Sequence, residues 1–388
     1  MVKMDTERIV IKDIQNPKDS ELIKAAQILR EGGLVAFPTE TVYGLGGNAL
    51  DEQAAKKIYE AKGRPSDNPL IAHISCMEEL EPLVREIPKA GRILAERFWP
   101  GPLTMIFPKS SLVPYGTTGG LDTVAVRMPK DRIANRLIRL AGVPVAAPSA
   151  NTSGRPSPTT ADHVWQDLEG KIDMVVDGGP VGIGLESTIV DVSGPVPVIL
   201  RPGAITQEML GQVLGQISLD PAISGPVQEG LRPRAPGMKY KHYAPRAEMT
   251  LVEVKEETME QLYRPGSLLH GQVSRMMAES GRNWKMKIEI FYMAWKVNEA
   301  AAQMEKTGAK VGVICTEETM DEYTAGIKRS IGRRDSEVSV AHNLYGVLRE
   351  FDDLGVDYIY AESFSETHLG NAIMNRLNKA AGYRILWV

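Results

Sequence analysis

Leu34-Val35-Ala36-Phe37-Pro38-Thr39-Glu40-Thr41-Val42-Tyr43-Gly44-Leu45-Gly46-Gly47 joins a short apolar run to a polar turn backed by glycines. Leu34 to Phe37 reads as a strand, and Pro38 ends it. Upstream, from Asn16 to Gly33, Asp19 or Ser20 caps a helix whose apolar stripe is Leu22, Ile23, Ala26 and Leu29. Downstream, Asp51 caps a second helix that carries Ala54, Ala55, Ile58 and Tyr59 and stops at Lys62-Gly63. Helix, strand, turn and helix in this order point to an α/β fold.

Further strands are expected at Leu70 to Ile74, Leu103 to Phe107, Thr123 to Met128, Val143 to Ala147, Met174 to Val176, Ser187 to Val192 and Val196 to Leu200. Helices are expected at Met77 to Arg85, Ala90 to Phe98, Arg132 to Ala141 and Thr160 to Leu168. Strands outnumber helices, so a mixed sheet fits better than a strict βαβ repeat. This domain is expected over residues 1–215. Residues 216–246 lose periodicity and gather Pro, Gly and basic residues, which marks a linker. Its aromatic and cationic residues are of the kind that contact ligands. Residues 247–388 return to alternation, with strands at Met249 to Val254, Lys310 to Cys315 and Tyr358 to Ala361. Helices at Val338 to Leu354 and Leu369 to Ala381 complete a smaller Rossmann-like α/β domain. It has no G-x-G-x-x-G loop opening a helix, so dinucleotide binding is not supported.

A chain of 388 residues favours two domains over one core. Forty-five basic against 49 acidic residues, a net charge of −4, argue against wrapping nucleic acid on a general basic surface. Two distant cysteines, Cys76 and Cys315, supply neither a disulfide framework nor a four-cysteine zinc site. They suit a reducing, cytoplasmic setting. The N-terminus lacks the apolar core of a signal peptide, and no run of apolar residues is long enough for a membrane span.

Several segments carry chemistry only in combination. Lys62-Gly63-Arg64 sets two cations at a helix end, where they complement the helix dipole or bind phosphate. Ala147-Pro148-Ser149-Ala150-Asn151-Thr152-Ser153-Gly154 follows an apolar strand with hydroxyls, an amide and small residues. It reads as a phosphate-approachable turn or as a polar strand cap. Thr39 and Thr41 suit a small polar substrate or local backbone bonds, and both readings stay open. Arg127, alone in an apolar strand, needs a protein carboxylate or a ligand anion. His73 reads first as a satisfied core histidine. No Walker A loop, G-x-S-x-G elbow or metal-type histidine cluster occurs.

Taken together, Lys62-Gly63-Arg64 with Ser149-Ala150-Asn151, the Pro38 to Gly46 loop, the Pro236 to Pro245 stretch and Gly370 to Leu377 resemble the YrdC-like threonylcarbamoyl-AMP synthases in their long form. The resemblance covers nearly the whole chain. It implies an N-terminal mixed twisted sheet with a concave cleft, followed by the C-terminal Rossmann-like domain. It also implies a nucleotidyltransferase that joins L-threonine, bicarbonate and ATP, with Mg2+, into threonylcarbamoyl-AMP and pyrophosphate. The product then serves the tRNA threonylcarbamoyl transferase machinery, which leaves room for a weak tRNA contact.

By the same resemblance, Lys62, Arg64, Ser149 and Asn151 are the catalytic candidates. Ser66, Thr123, Ser157, Arg201 and Tyr243 join them on the ATP side, and Thr39, His73, Arg127, Ala147 and Ser187 take threonine. Metal ligands stay unassigned. Residues 216–246 become a candidate active-site lid, with Tyr243 closing over ATP. The main alternative is an RNA-binding module of the same fold without catalysis, against which the net charge and the lack of an aromatic-rich RNA motif weigh. A carbamoyl-AMP-forming relative would be expected to carry zinc-finger cysteines that two isolated thiols cannot supply.

Overall fold

The structure is a computed structural model that describes residues 5–223, 225, 233–236, 242–262 and 284–388. Contacts divide the chain into two units, Met1–Tyr243 with Glu366–Asn375, and Ala244–Ser365 with Arg376–Val388.

The strands of the first unit are β1 (Glu7–Val10), β2 (Val35–Phe37), β3 (Gly44–Asn48), β4 (Ile71–His73), β5 (Leu103–Pro108), β6 (Thr123–Arg127), β7 (Val145–Ala146), β8 (Met174–Asp177), β9 (Thr188–Asp191), β10 (Val198–Arg201) and β11 (Ser218–Leu219). They form one sheet in the order β1-β8-β2-β3-β7-β4-β6-β5-β9-β10-β11. β2–β3, β3–β7, β4–β7, β5–β6 and β9–β10 are antiparallel, and the other pairs are parallel. The mixed sheet expected from the strand-rich sequence is therefore present.

The apolar run of β2 is buried on both faces because successive side chains alternate. Leu34 and Ala36 join one core with Ile58, Tyr59 and Val126. Val35 and Phe37 join the opposite core with Leu22, Leu29, Ile133 and Leu137 from helices Asp19–Arg30 and Arg132–Ala141. The first of these helices starts at Asp19 after Lys18, whose amide donates to Glu21 at 3.0 Å. Glycine lets β3 lie close against its neighbours. A Cβ on Gly46 would stand 2.7 Å from the Phe37 ring and 2.8 Å from Val145.

Two expectations are corrected. Met77 to Arg85 is two short 3-10 turns, Met77–Glu79 and Glu81–Leu83, because Pro82 cannot supply the amide that a continuous helix needs. The glycines of Gly44–Asn48 form a central strand rather than the remainder of a turn.

The second unit has β12 (Glu248–Glu253), β13 (Val311–Cys315), β14 (Ile327–Ser330), β15 (Tyr358–Glu362) and β16 (Ile385–Trp387). All pair in parallel in the order β14-β13-β15-β12-β16. Helix Glu337–Leu354 is capped by Ser336 and closed by Gly355, and it buries Leu344, Val347, Leu348 and Phe351. Met293, Ala294 and Val297 of helix Trp284–Glu305 pack on Val252, Val313 and Cys315. This is the expected Rossmann-like α/β arrangement. Cys76 and Cys315 are both free thiols. Among the described residues no helix is long and apolar enough to cross a membrane.

Candidate active site

A cleft in the first unit is lined by Thr39, Thr41, Arg64, His73, Arg127, Ala147, Ser149, Asn151, Arg155, Ser157, Glu186, Ser187, Arg201, Pro236, His242 and Tyr243. A larger groove, about 1030 Å³, runs past Arg92, Trp99, Lys130 and Arg136 and contains none of the expected site residues.

On one side of the cleft the turn after β2 meets the end of β6. Thr39 donates to the Val42 carbonyl at 2.7 Å, so the 2.8 Å contact with Thr41 uses the Thr41 proton. Thr41 in turn accepts from Arg127 Nη1 at 2.9 Å. Arg127 Nε donates to Gly101 O at 3.3 Å. Its Nη2 stands 2.7 Å from Glu40 Oε1, but neither atom makes a hydrogen bond of good geometry. The guanidinium is therefore ion-paired from behind and keeps donor capacity. Burial pushes the Glu40 carboxyl up, but the adjacent Arg127 prevails and holds it below the usual carboxylate range.

His73 sits on β4 beside Arg127, with Nδ1 3.1 Å from Ile71 O. Burial and the nearby guanidinium push it down to about 3, so the ring is neutral at neutral pH. Ala147 closes this side, its amide bonded to Ile71 O at 2.9 Å. Ser187 Oγ lies 2.7 Å from Thr104 Oγ1 and accepts from Arg201 Nη2 at 3.2 Å.

The other side is built at the end of helix Glu52–Lys62. Asp51 caps its start, accepting from Gln53 N at 2.8 Å, and Gly63 ends it with φ 60°. Lys62 is buried, and its ammonium donates to the carbonyls of Ser149 and Asn151. It thus clamps the turn from beneath. Ser149 Oγ donates to Asn151 Oδ1 at 2.6 Å, and Asn151 Nδ2 donates to Thr152 O and Arg155 O, both at 2.9 Å. Arg64 Nη2 donates to Pro69 O at 3.1 Å while Nε has no hydrogen-bond partner. Burial lowers its pKa to about 10, which leaves it cationic at neutral pH. Ser157 donates to Glu186 at 2.5 Å, and Arg155 pairs with Asp167.

Pro236, His242 and Tyr243 enter the same cleft. Arg201 Nη1 reaches Pro236 O at 3.5 Å. Tyr243 is buried in the left-handed conformation, φ 64°, with its ring centroid 5.5 Å from that of His242. Residues 224, 226–232 and 237–241 of the anticipated lid lie outside the described residues.

Eleven of the expected site residues line this cleft, namely Thr39, Arg64, His73, Arg127, Ala147, Ser149, Asn151, Ser157, Ser187, Arg201 and Tyr243. Lys62 supports it from below. Ser66 lines a neighbouring groove with Arg64 and Tyr115, and Thr123 starts β6 opposite Pro108 without lining the cleft. Sequence reading missed Glu40 as the partner of Arg127, and Arg155, Glu186 and His242 as lining residues. The lone arginine of an apolar strand signalled a missing carboxylate, but nothing local said which one.

The Sua5/YciO/YrdC family, described as telomere recombination, matches residues 27–203, and the threonylcarbamoyl-AMP synthase C-terminal domain matches residues 205–382. The threonylcarbamoyl-AMP synthase of Pyrococcus abyssi is 46% identical over 98% of this chain and 99% of its own length. That of Bacillus subtilis is 45% identical over 99% of this chain and 100% of its own. The crystal structure of Pyrococcus abyssi Sua5 complexed with L-threonine superposes with a TM-score of 0.84 at 46% identity, covering 99% of this chain and 100% of that one. The chain therefore belongs to the threonylcarbamoyl-AMP synthase family.

Proposed function

We propose that the protein joins L-threonine, bicarbonate and ATP into threonylcarbamoyl-AMP and pyrophosphate. The observation that carries this reading is Arg127, a buried guanidinium whose five N–H donors exceed its three partners, Gly101, Thr41 and Glu40, in a cleft otherwise suited to a small polar ligand. A substrate carboxylate would complete it, with Thr39, His73, Ala147 and Ser187 around the rest of the amino acid. The relative solved with L-threonine supports the same choice of ligand.

In this reading Arg64, Arg201, Ser149, Asn151 and Ser157 take the triphosphate, with Ser66 and Thr123 at its margins. Lys62 acts through the turn that it clamps. The threonine amine attacks the carbon of bicarbonate, water leaves, and a carbamate oxygen then attacks the α-phosphorus and expels pyrophosphate. No bond to the enzyme forms. The chain's task is to align carbamate and phosphate, exclude water and balance the charge that builds on the leaving group. Residues 216–246 act as linker and lid between domains 1–215 and 247–388, with Tyr243 over the nucleotide.

Magnesium fits this donor set. Among the described residues no three His, Cys, Asp or Glu side chains cluster as metal ligands, whereas Ser149, Asn151 and Glu186 offer oxygens beside the phosphate side. Such a site suits an ion held mainly by phosphate oxygens and water. When bound, magnesium would screen the phosphate charge. The product passes, in the cytoplasm, to the transferase machinery that modifies the adenosine 3′ to the anticodon in tRNAs reading codons that start with A. Incubation with ATP, threonine and labelled bicarbonate tests the reading. Mass spectrometry should find the label in threonylcarbamoyl-AMP, and pyrophosphate release without threonine or bicarbonate would refute it.

A further inference from the structure

The two sides of the cleft differ in electrical character. On the phosphate side, Arg64 and Arg201 are held by carbonyl and hydroxyl oxygens, Arg155 is matched by Asp167, and Glu186 is the carboxylate on the lining. Arg64 and Arg201 give this side its cationic character. The amino-acid side contains Arg127, neutral His73 and uncharged Thr39, Thr41, Ala147 and Ser187. Its one cation among the described residues is matched at 2.7 Å by Glu40. Glu40 does not line the cleft, and its Oε2 is tied to the Asp131 amide at 3.3 Å, behind the guanidinium.

This placement has a chemical consequence. A buried arginine without a counter-charge draws any small anion, and triphosphate, pyrophosphate and bicarbonate all belong to this reaction. An arginine already neutralised from behind offers directional donors without net charge, which favours a zwitterion over an inorganic anion. We infer that Glu40 determines the specificity of the amino-acid side, cancelling the charge of Arg127 so that the pocket takes an α-amino acid and refuses small inorganic anions. Glu40 acts through Arg127 and is a positioning residue. The inference rests on the reading of Arg127 as the partner of the threonine carboxylate.

The test is competition between inorganic phosphate and L-threonine at saturating ATP, followed by product formation from labelled bicarbonate in the full-length protein. The ratio of the competitive phosphate KI to the threonine KM should be high in the wild type. In Glu40→Gln it should fall by about tenfold or more as the uncompensated guanidinium captures phosphate. Glu40→Asp, which keeps the charge, should restore most of the wild-type ratio. Glu40→Ala removes the charge without adding an amide and should behave like Glu40→Gln, so the test survives poor folding of either variant.

A merely structural role would weaken threonine and phosphate together and leave the ratio unmoved, which overturns the inference. Arg127→Lys separates the two claims. If it leaves the threonine KM unchanged, the assignment of Arg127 fails. If it raises that KM while the Glu40 variants keep the wild-type ratio, only the role of Glu40 fails.

Discussion

The ammonium of Lys62 donates to the main-chain oxygens of both Ser149 and Asn151, so one buried cation joins the end of a helix to the turn that follows β7. The shape of that turn depends on Lys62. Lys62→Met fills similar volume but leaves two inward carbonyls without their donor, at a cost of about 2–4 kcal/mol. Denaturant unfolding should show the loss, and the KM for ATP should rise more than that for threonine. A variant that melts normally and binds ATP normally would reduce Lys62 to a surface-like cation.

Arg127 should control threonine rather than nucleotide. Arg127→Lys keeps the charge beside Glu40 but loses the planar fork, so the threonine KM should rise by about 30-fold or more, equivalent to about 2 kcal/mol or more. The KM for ATP should stay within about twofold. Equal changes in both constants would place Arg127 in general stability instead.

Asp131 and His73 give opposite pH signatures. Burial, aided by Glu40, pushes Asp131 from 3.8 up to about 6. For a carboxyl raised on folding, the native state holds the proton longer, so stability falls as pH rises from about 4 to about 6. Asp131→Asn keeps an N-cap for helix Arg132–Ala141 and removes that penalty. It should stabilise the protein by about 1–3 kcal/mol at pH 7.5 and by almost nothing at pH 3.5, as read by urea unfolding.

His73 shifts the other way, from 6.5 down to about 3, chiefly through burial. The unfolded chain takes up its proton first, so stability is lost as pH falls from about 6.5 towards 3. His73→Gln should flatten that acid limb.

Gly46 should accept no side chain. Its missing Cβ would press on Phe37 at 2.7 Å and on Val145 at 2.8 Å, from both neighbouring strands. Gly46→Ala should destabilise the protein by about 1–3 kcal/mol through overpacking, measurable as a lower Tm. A Tm equal to that of the wild type would show that the sheet can open at this point.

Elements with strong local signals were legible in sequence. Leu34 to Phe37 announced β2 by an unbroken apolar run, and Asp51 with Gly63 bracketed a helix by cap chemistry. Gly44–Asn48 gave no such signal, since glycine has low strand propensity and its place is set by the bulk of Phe37 and Val145. Met77 to Arg85 had the apolar content of a helix, and Pro82 split it. In the site, the segments around Arg64, Arg127 and Ser149 were recognisable as chemistry-bearing, but their convergence was not. Glu40 stayed hidden because its partner lies on a distant strand, and a carboxylate in a turn looks locally like any other.

The edge strand β1 has a consequence for biosynthesis. Glu7–Val10 pairs with Met174–Asp177, and Thr6 bonds Ile172 across a separation of 166 residues. During translation the first strand emerges long before its partner exists, so it must wait while most of the first unit is made. Contacts this remote slow folding and expose unpaired edges in the interval. The nascent chain is therefore most vulnerable to aggregation before β8 leaves the ribosome, and a helper that shields a strand edge would act in that window.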